Sequence, residues 1–584
     1  MVDEASAPIC ENRGGAPRTS ARTVAGTLVA HDVDRVFTVA GESYLDVLDA
    51  LRDVPGLDIV TCRHEGSAAF MAVADAKLTG RPGLCLVSRG PGAANALIGV
   101  HTAAQDAVPL LLLVGHVPRS GIGREAFQEI DGGAVFGSLA KAVWTVHEPR
   151  TTGEVMERAW RTAVSGTPGP VVVMLPEDVL AAPDPVGPRA AARAPMPAAP
   201  PSDAVRRTAA LLAGARRPVL IAGGLLAHGD GRAALGEASV RLGLPVLTSN
   251  KHQDVFDNRH THYAGHLNNA VDAARRAVLD EADLILAVGT RLDEVTTGRQ
   301  RFPAAPVPGQ PLVHVHPDPS RLAGTYATAI AAACDGAAFL RALTAAAPAG
   351  MPDRAAWLRR LSAQERESSR APEASDQDDG VPFGVVAGAL DRMTGGEALV
   401  TVDAGTFTRR LCRHLRPSGP GRLLAACSGA MGFGVPAGVA AALRRPGRRV
   451  ISVVGDGGFL MNGSELATAV ARSLPLLVVI ADNASYGTIR LHQERRHPGR
   501  PVATGLANPD FTALAEAYGA LALRVTDGAD VEPALARALD HHDGPVVVHV
   551  RTSLELPAGP RLRTDSRTSG TTEPRKEVCR DVLA

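Results

Sequence analysis

The chain lacks the features that mark several large protein classes. Aromatic residues make up only 3% of it, and its seven cysteines (Cys10, Cys62, Cys85, Cys334, Cys412, Cys427 and Cys579) are scattered, odd in number and never in a C-x-x-C pair. That pattern argues against a disulfide framework or a cysteine-based zinc site and fits a reducing interior. Net charge is missing as well. With 61 Lys plus Arg against 61 Asp plus Glu, no bulk field points to nucleic acid or an anionic membrane. The longest apolar runs, such as 107–114 and 474–481, are strand-length, well short of the ~20 residues a spanning helix needs. The first residues are polar and carry no apolar stretch of the secretory kind. No G-x-G-x-x-G follows the first strand-like run of any segment, so the usual nicotinamide fingerprint is missing. These absences read as a cytoplasmic protein with neither a nucleic-acid nor a membrane partner.

What is present is a globular balance, 45% hydrophobic against 21% charged over 584 residues. A prior of ~150 residues per domain makes that three or four cores. Residues 181–202 are Pro/Ala-rich and residues 362–380 polar and charged; both read as linkers. They divide the chain into segments 19–180, 203–361 and 381–557, with frayed, disordered ends at 1–18 and 558–584. Each segment alternates β-branched runs with Ala/Leu-rich stretches: RVFTVAG, LDIVTCRH, GLCLVSRG, PLLLLVGHV and GPVVVMLP in the first; RPVLIAGG, LPVLTSN, ADLILAVG and PLVHVHPD in the second; EALVTVDAG, RVISVVGDG, LPLLVVIADN and GPVVVHVRT in the third. Apolar runs of this length mark strands buried on both faces, and helical connections between them imply parallel βαβ units. The expected fold is α/β, three doubly wound parallel-sheet domains. Ligands in such sheets sit beyond the carboxyl ends of the strands, where Gly, Asp and Asn fall here.

The strongest chemical signal is Gly455-Asp456-Gly457-Gly458 after one strand, followed 27 residues beyond the Asp by Asn483 at the end of the next. A carboxylate and a carboxamide oxygen at neighbouring strand ends, with phosphate oxygens, suit octahedral Mg²⁺. The glycines let a backbone approach a diphosphate at a helix start, whose dipole favours it. Taken alone, Asp456 is equally a turn residue or helix cap. The spacing resembles the thiamine-diphosphate binding motif, with Asp482 in place of the first residue of its usual Asn-Asn pair.

Further stretches resemble acetolactate synthase and its relatives in the order pyrimidine-binding, central and diphosphate-binding domain, over about residues 20–557: Cys62-Arg-His-Glu65-Gly, Ser88-Arg-Gly-Pro-Gly92, Arg124-Glu-Ala-Phe127-Gln128-Glu129, Asp403-Ala-Gly405-Thr406 and Ser428-Gly-Ala-Met431-Gly. The resemblance implies thiamine diphosphate and Mg²⁺ as cofactors, the metal held by Asp456, Asn483 and the backbone of Ser485. It implies that Gly405, Thr406, Met431, Gly455, Gly457, Gly458, Tyr486, Gly487 and Thr488 cradle the cofactor, Met431 propping its bent shape. Glu65 would hydrogen-bond the pyrimidine ring nitrogen and favour the imino tautomer, the catalytic role; its alternative is a helix-start glutamate stabilised by the helix dipole. Glu42, Ser43, Phe127, Gln128 and His492 would face the substrate, Phe127 having plain packing as its alternative. The implied reaction is carboligation of a 2-oxo acid through an enamine, with non-oxidative decarboxylation as the alternative and a non-catalytic binding module behind both. A homodimer or homotetramer with inter-subunit active sites is implied as well.

The chain departs from the synthases in several places. Val295 stands where they carry an arginine that helps hold the second 2-oxo acid, and His492 where they have a tryptophan. In the loop Ala40-Gly41-Glu42-Ser43-Tyr44, Glu42 would add a carboxylate near the thiazolium. Val295 offers no donor to a carboxylate, so weak pyruvate–pyruvate condensation is expected unless Arg490 or another cation takes over. Gly223, Gly224 and Arg291 resemble parts of a flavin surface, whereas Tyr263–Leu267 matches the flavin loop poorly; FAD is possible but not favoured.

Overall fold

The computed structural model describes residues 18–191, 196–348, 350–373 and 377–554. Three six-stranded sheets order the chain, and every pairing within them is parallel. The first comprises β1 (Arg35–Thr38), β2 (Asp58–Thr61), β3 (Gly83–Val87), β4 (Leu110–His116), β5 (Ala142–Thr145) and β6 (Pro170–Pro176). The second comprises β7 (Pro218–Ala222), β8 (Val246–Thr248), β9 (Tyr263–His266), β10 (Leu284–Val288), β11 (Leu312–His316) and β12 (Ile330–Ala333). The third comprises β13 (Leu399–Val402), β14 (Leu423–Ala425), β15 (Val450–Gly455), β16 (Leu476–Asp482), β17 (Leu521–Val525) and β18 (Val546–Arg551). The outer sheets share one order, β2-β1-β3-β4-β6-β5 and β14-β13-β15-β16-β18-β17. The middle sheet, β12-β11-β10-β7-β8-β9, has the symmetric order of a dinucleotide-type doubly wound sheet.

Central strands such as β4, β10 and β16 are buried along their whole length, which is why they read as unbroken apolar runs. The apolar-run reading passes over β5, β9, β12, β14 and β17, and all five are edge strands. An edge strand has one neighbour and needs less apolar side chain. β5 is half-buried throughout, and β12 alternates buried with exposed.

The first and third domains pack through two helices that are apolar almost all round, Glu65–Thr79 and Gly434–Arg444. Such helices are stable only when covered on every side. Phe70 meets Phe433 edge-to-face at 5.5 Å in this layer. Arg444 closes its rim with bonds to Asp75 (2.7 Å) and Asp34 (2.5 Å), and Glu465 accepts from Arg63 N–H at 2.7 Å.

One expected boundary is corrected. The stretch 362–380 was expected to be linker, but the helix Ala355–Ser368 runs through its first seven residues. Their polarity answers a buried partner rather than solvent: Glu365 is buried and pairs with the buried Arg275. Between the helices Glu177–Ala181 and Ser202–Gly214, the described residues of 182–201 form no helix or strand beyond a single bridge from Thr19 to Pro183. The ends expected to be frayed, 1–18 and 558–584, lie outside the described residues except for Arg18, whose carbonyl accepts from Asp184 N–H at 2.7 Å. Among the described residues, no helix is long and apolar enough to cross a membrane.

Candidate active site

β13, β15 and β16 are adjacent in the third sheet, and their carboxyl ends open on one cavity of about 480 Å³. β13 delivers Gly405 and Thr406, the latter starting the helix Thr406–His414. β15 delivers Gly455 and Asp456, and the helix Asp456–Asn462 starts at once. β16 delivers Asn483, Ser485, Tyr486, Gly487 and Thr488, the last two opening the helix Gly487–Arg496. Met431 arrives from the loop before Gly434–Arg444. All of these residues, with Gly457 and Gly458, line the cavity.

The three expected metal residues converge. Asp456 Oδ2 accepts from Ser485 N–H at 3.2 Å, and Asn483 Oδ1 accepts from the same amide at 3.1 Å. The Ser485 carbonyl takes one bond from Gly487 N–H at 2.7 Å and keeps a second lone pair. Asn483 Nδ2 reaches Thr406 Oγ1 at 3.4 Å, tying the β16 loop to the β13 loop. Among the described residues, no cluster of three or more His, Cys, Asp or Glu could hold a metal. A cation here would draw on one carboxylate, one carboxamide, one carbonyl and oxygens of a ligand, the donor set of Mg²⁺ bound together with a phosphate group. The glycines fit that ligand. A Cβ on Gly457 would lie 2.7 Å from the Tyr486 ring, and one on Gly458 would lie 2.6 Å from Asp403 Oδ2. Neither position has room for a side chain, which leaves the backbone bare there.

Behind the site lies a polar layer that the sequence reading did not find. Asn508 Nδ2 donates to Asp456 Oδ2 and to Asp482 Oδ1, 2.8 Å to each, and Asp482 Oδ2 pairs with His549 Nε2 at 2.9 Å. Burial pushes the Asp456 carboxyl up to about 6, against the bond from Asn508 and with the help of neighbouring Asp482. Burial acts upward on Asp482 too, but hydrogen bonds from His549, Ala484 N–H and Asn508 outweigh it and hold it at about 2. His549 interrupts the apolar run of β18, an anomaly visible in the sequence. Asn508 follows an irregular stretch with no such signal. Asp403 at the end of β13 is pushed up to about 6 by burial, although its carboxylate accepts from Gly432 N–H at 2.8 Å and so fixes the loop that carries Met431.

The remaining expected residues gather elsewhere. Glu65 opens its helix after the cap His64, and its Oε2 accepts from Asn95 Nδ2 at 2.9 Å. Ser43 Oγ lies 3.0 Å from Ser88 Oγ. A Cβ on Gly90, whose φ is +49°, would lie 2.6 Å from the Gln128 carbonyl. Phe127 is 73% exposed. This second group follows the carboxyl ends of β1, β2, β3 and β4. Glu42 is not a free carboxylate, as it pairs at 2.9 Å with Arg89, which also holds Glu177 at 2.8 Å. His492 is exposed on the helix Gly487–Arg496. Neither His492 nor any of the first-domain residues lines the 480 Å³ cavity. Val295 does line it, and so does Lys251, a residue outside every expected set. Among the flavin-like positions, Arg291 Nη2 donates to Gln105 Oε1 at 3.0 Å.

Comparison with known proteins places the chain. The thiamine pyrophosphate enzyme N-terminal TPP binding domain matches residues 18–135, the central domain 205–343 and the C-terminal TPP binding domain 403–550. The chain is 32% identical to the acetolactate synthase large subunit of Parasynechococcus marenigrum, covering 92% of this chain and 89% of that protein. It is 31% identical to the acetolactate synthase isozyme 2 large subunit of Escherichia coli (91% and 95%) and 30% identical to the probable acetolactate synthase large subunit of Methanocaldococcus jannaschii (89% and 89%). With all three domains matched in order and relatives similar over nearly their full length, the chain belongs to the thiamine pyrophosphate enzyme family.

Proposed function

We propose that the protein is a thiamine-diphosphate- and Mg²⁺-dependent carboligase that joins a 2-oxo acid, after loss of CO₂, to a carbonyl acceptor. The observation that carries this reading is the convergence of Gly405, Thr406, Met431, Gly455, Gly457, Gly458, Tyr486, Gly487 and Thr488 with Asp456, Asn483 and Ser485 on one cavity. Asp456, Asn483 and the Ser485 carbonyl would hold Mg²⁺, and the bare backbone at Gly457 and Gly458 would take the diphosphate. The cofactor, when bound, supplies a carbon nucleophile and an electron sink for the decarboxylation.

The chain's own groups do the rest. Glu65 would hydrogen-bond the pyrimidine ring nitrogen, an acid–base task that a positioned carboxyl suits. Met431 would support the cofactor with a side chain pliable enough to fill an irregular gap. Glu65 lies outside the cavity of its own chain, so the complete site is formed between two copies, Glu65 of one facing Asp456 of the other. Gln128, Ser43 and Phe127 come with that Glu65 and bound the substrate. No step needs a flavin.

A panel of 2-oxo acids, incubated with and without carbonyl acceptors and read by mass spectrometry, tests the reading. Hydroxyketone products that appear only with acceptor support carboligation. Aldehyde alone under both conditions assigns the decarboxylase reaction instead.

A further inference from the structure

The third domain supplies the loops expected to hold the cofactor, and the middle domain also lines the cavity, with Asn250, Lys251, His266, Asn268 and Val295 among others. Two long basic side chains line the cavity. Arg409 stands on the helix that starts at Thr406, beside the expected diphosphate loop. Lys251 is the only Lys or Arg that the middle domain contributes among the described lining residues.

Lys251 is held in place by its surroundings. It follows β8, at the carboxyl edge of the middle sheet, with φ +61°, a left-handed conformation that lysine rarely adopts without compensation. Asn250 N–H donates to Thr296 Oγ1 at 3.2 Å, which locks this loop to the loop bearing Val295. The Cys427 thiol reaches the Asn250 carbonyl at 3.5 Å and His252 Nε2 at 3.4 Å, so the residues on both sides of Lys251 are tied to the third domain. Lys251 Nζ donates to the Ala426 carbonyl at 2.6 Å, two residues before the loop Ser428–Met431. That bond uses one of three donors and anchors the ammonium to the third domain, in a cavity that Val295 also lines.

Resting on the function proposed above, we infer that Lys251 is the specificity-determining residue for an acceptor 2-oxo acid, its ammonium pairing with the carboxylate that Val295 cannot hold. The pairing falls to the acceptor rather than the donor for a chemical reason. The donor's carboxylate leaves as CO₂, and pairing it with a fixed cation would stabilise the ground state and oppose that loss. The acceptor's carboxylate survives into the product, so binding it by a charge-assisted bond costs nothing later.

The test uses the full-length chain with Mg²⁺ and thiamine diphosphate, pyruvate as donor, and either 2-oxobutyrate or propanal as acceptor. The two acceptors differ by the carboxylate. Calorimetry of thiamine diphosphate binding is run on every variant. Wild type favours 2-oxobutyrate, and in Lys251→Met the kcat/KM ratio of 2-oxobutyrate to propanal drops by about 30-fold or more, the scale of a broken charge pair. Lys251→Arg recovers much of that ratio, because it keeps the charge. If Lys251→Met lowers both acceptors alike, or weakens thiamine diphosphate binding, the lysine serves the fold or the diphosphate and the inference is overturned. A wild type that binds no thiamine diphosphate overturns the underlying function instead, so the two failures are distinguishable.

Discussion

Asp482 and His549 form a buried hydrogen-bonded pair, Oδ2 to Nε2 at 2.9 Å, directly behind the residues expected to hold the metal. Asp482 stands where the resembling family carries an asparagine, and β18, which pairs with β16, supplies the histidine. The pair is braced by Asn508 against Asp456.

Replacing Asp482 with Asn leaves His549 without its carboxylate. In the folded state the Asp482 carboxyl is held at about 2, below its ordinary range, so the pair contributes stability above pH ~4 that is lost as pH falls through about 2. A depression of this size corresponds to about 2 kcal/mol. Asp482→Asn is therefore expected to unfold more easily by about that amount at pH 7, with the gap to wild type narrowing toward pH 3. Urea denaturation at several pH values checks it; a gap constant with pH would assign the loss to packing instead.

Glu65→Gln keeps the size and the contact with Asn95 but removes the carboxyl. The variant should fold, bind thiamine diphosphate as wild type does and lose most turnover, about 10²-fold or more, in the range of acid–base contributions. Circular dichroism, calorimetry and a steady-state assay together decide it. Unchanged kcat would sink the role given to Glu65.

Asp456→Ala removes the only carboxylate among the three expected metal groups. Cofactor retention that depends on Mg²⁺ should disappear while the chain stays folded, since the change also relieves a buried carboxyl raised to about 6. Calorimetry with and without chelator measures this. Equal cofactor affinity in all four combinations would remove Asp456 from the site.

Because Glu65 and Asp456 belong to separate groups within one chain, mixing inactive Glu65→Gln with inactive Asp456→Ala subunits under exchange should regenerate some sites with both groups intact. Partial activity is the expected result. Its absence, with exchange shown by mass-tagged subunits, would mean that each site closes within one chain.

What the sequence by itself determined is what lies close along the chain. The G-D-G turn and Asn483 sit at the ends of successive strands, so their meeting in space was legible from spacing, and strands buried on both faces announced themselves as unbroken apolar runs. The edge strands β5, β9, β12, β14 and β17 were not legible, because a strand with one neighbour is short or carries polar side chains like any loop. The helix through Ser368 was hidden for a related reason: Glu365 looks like a solvated charge until Arg275 is placed against it. Only the tertiary structure decided which strand ends meet. It brought Asn508 and His549 behind Asp456, and it set Lys251 and Val295 in the lining of the same cavity as the diphosphate loops. Those contacts join residues dozens to hundreds of positions apart, and no local pattern encodes them; they exist because parallel sheets bring distant loops to one edge.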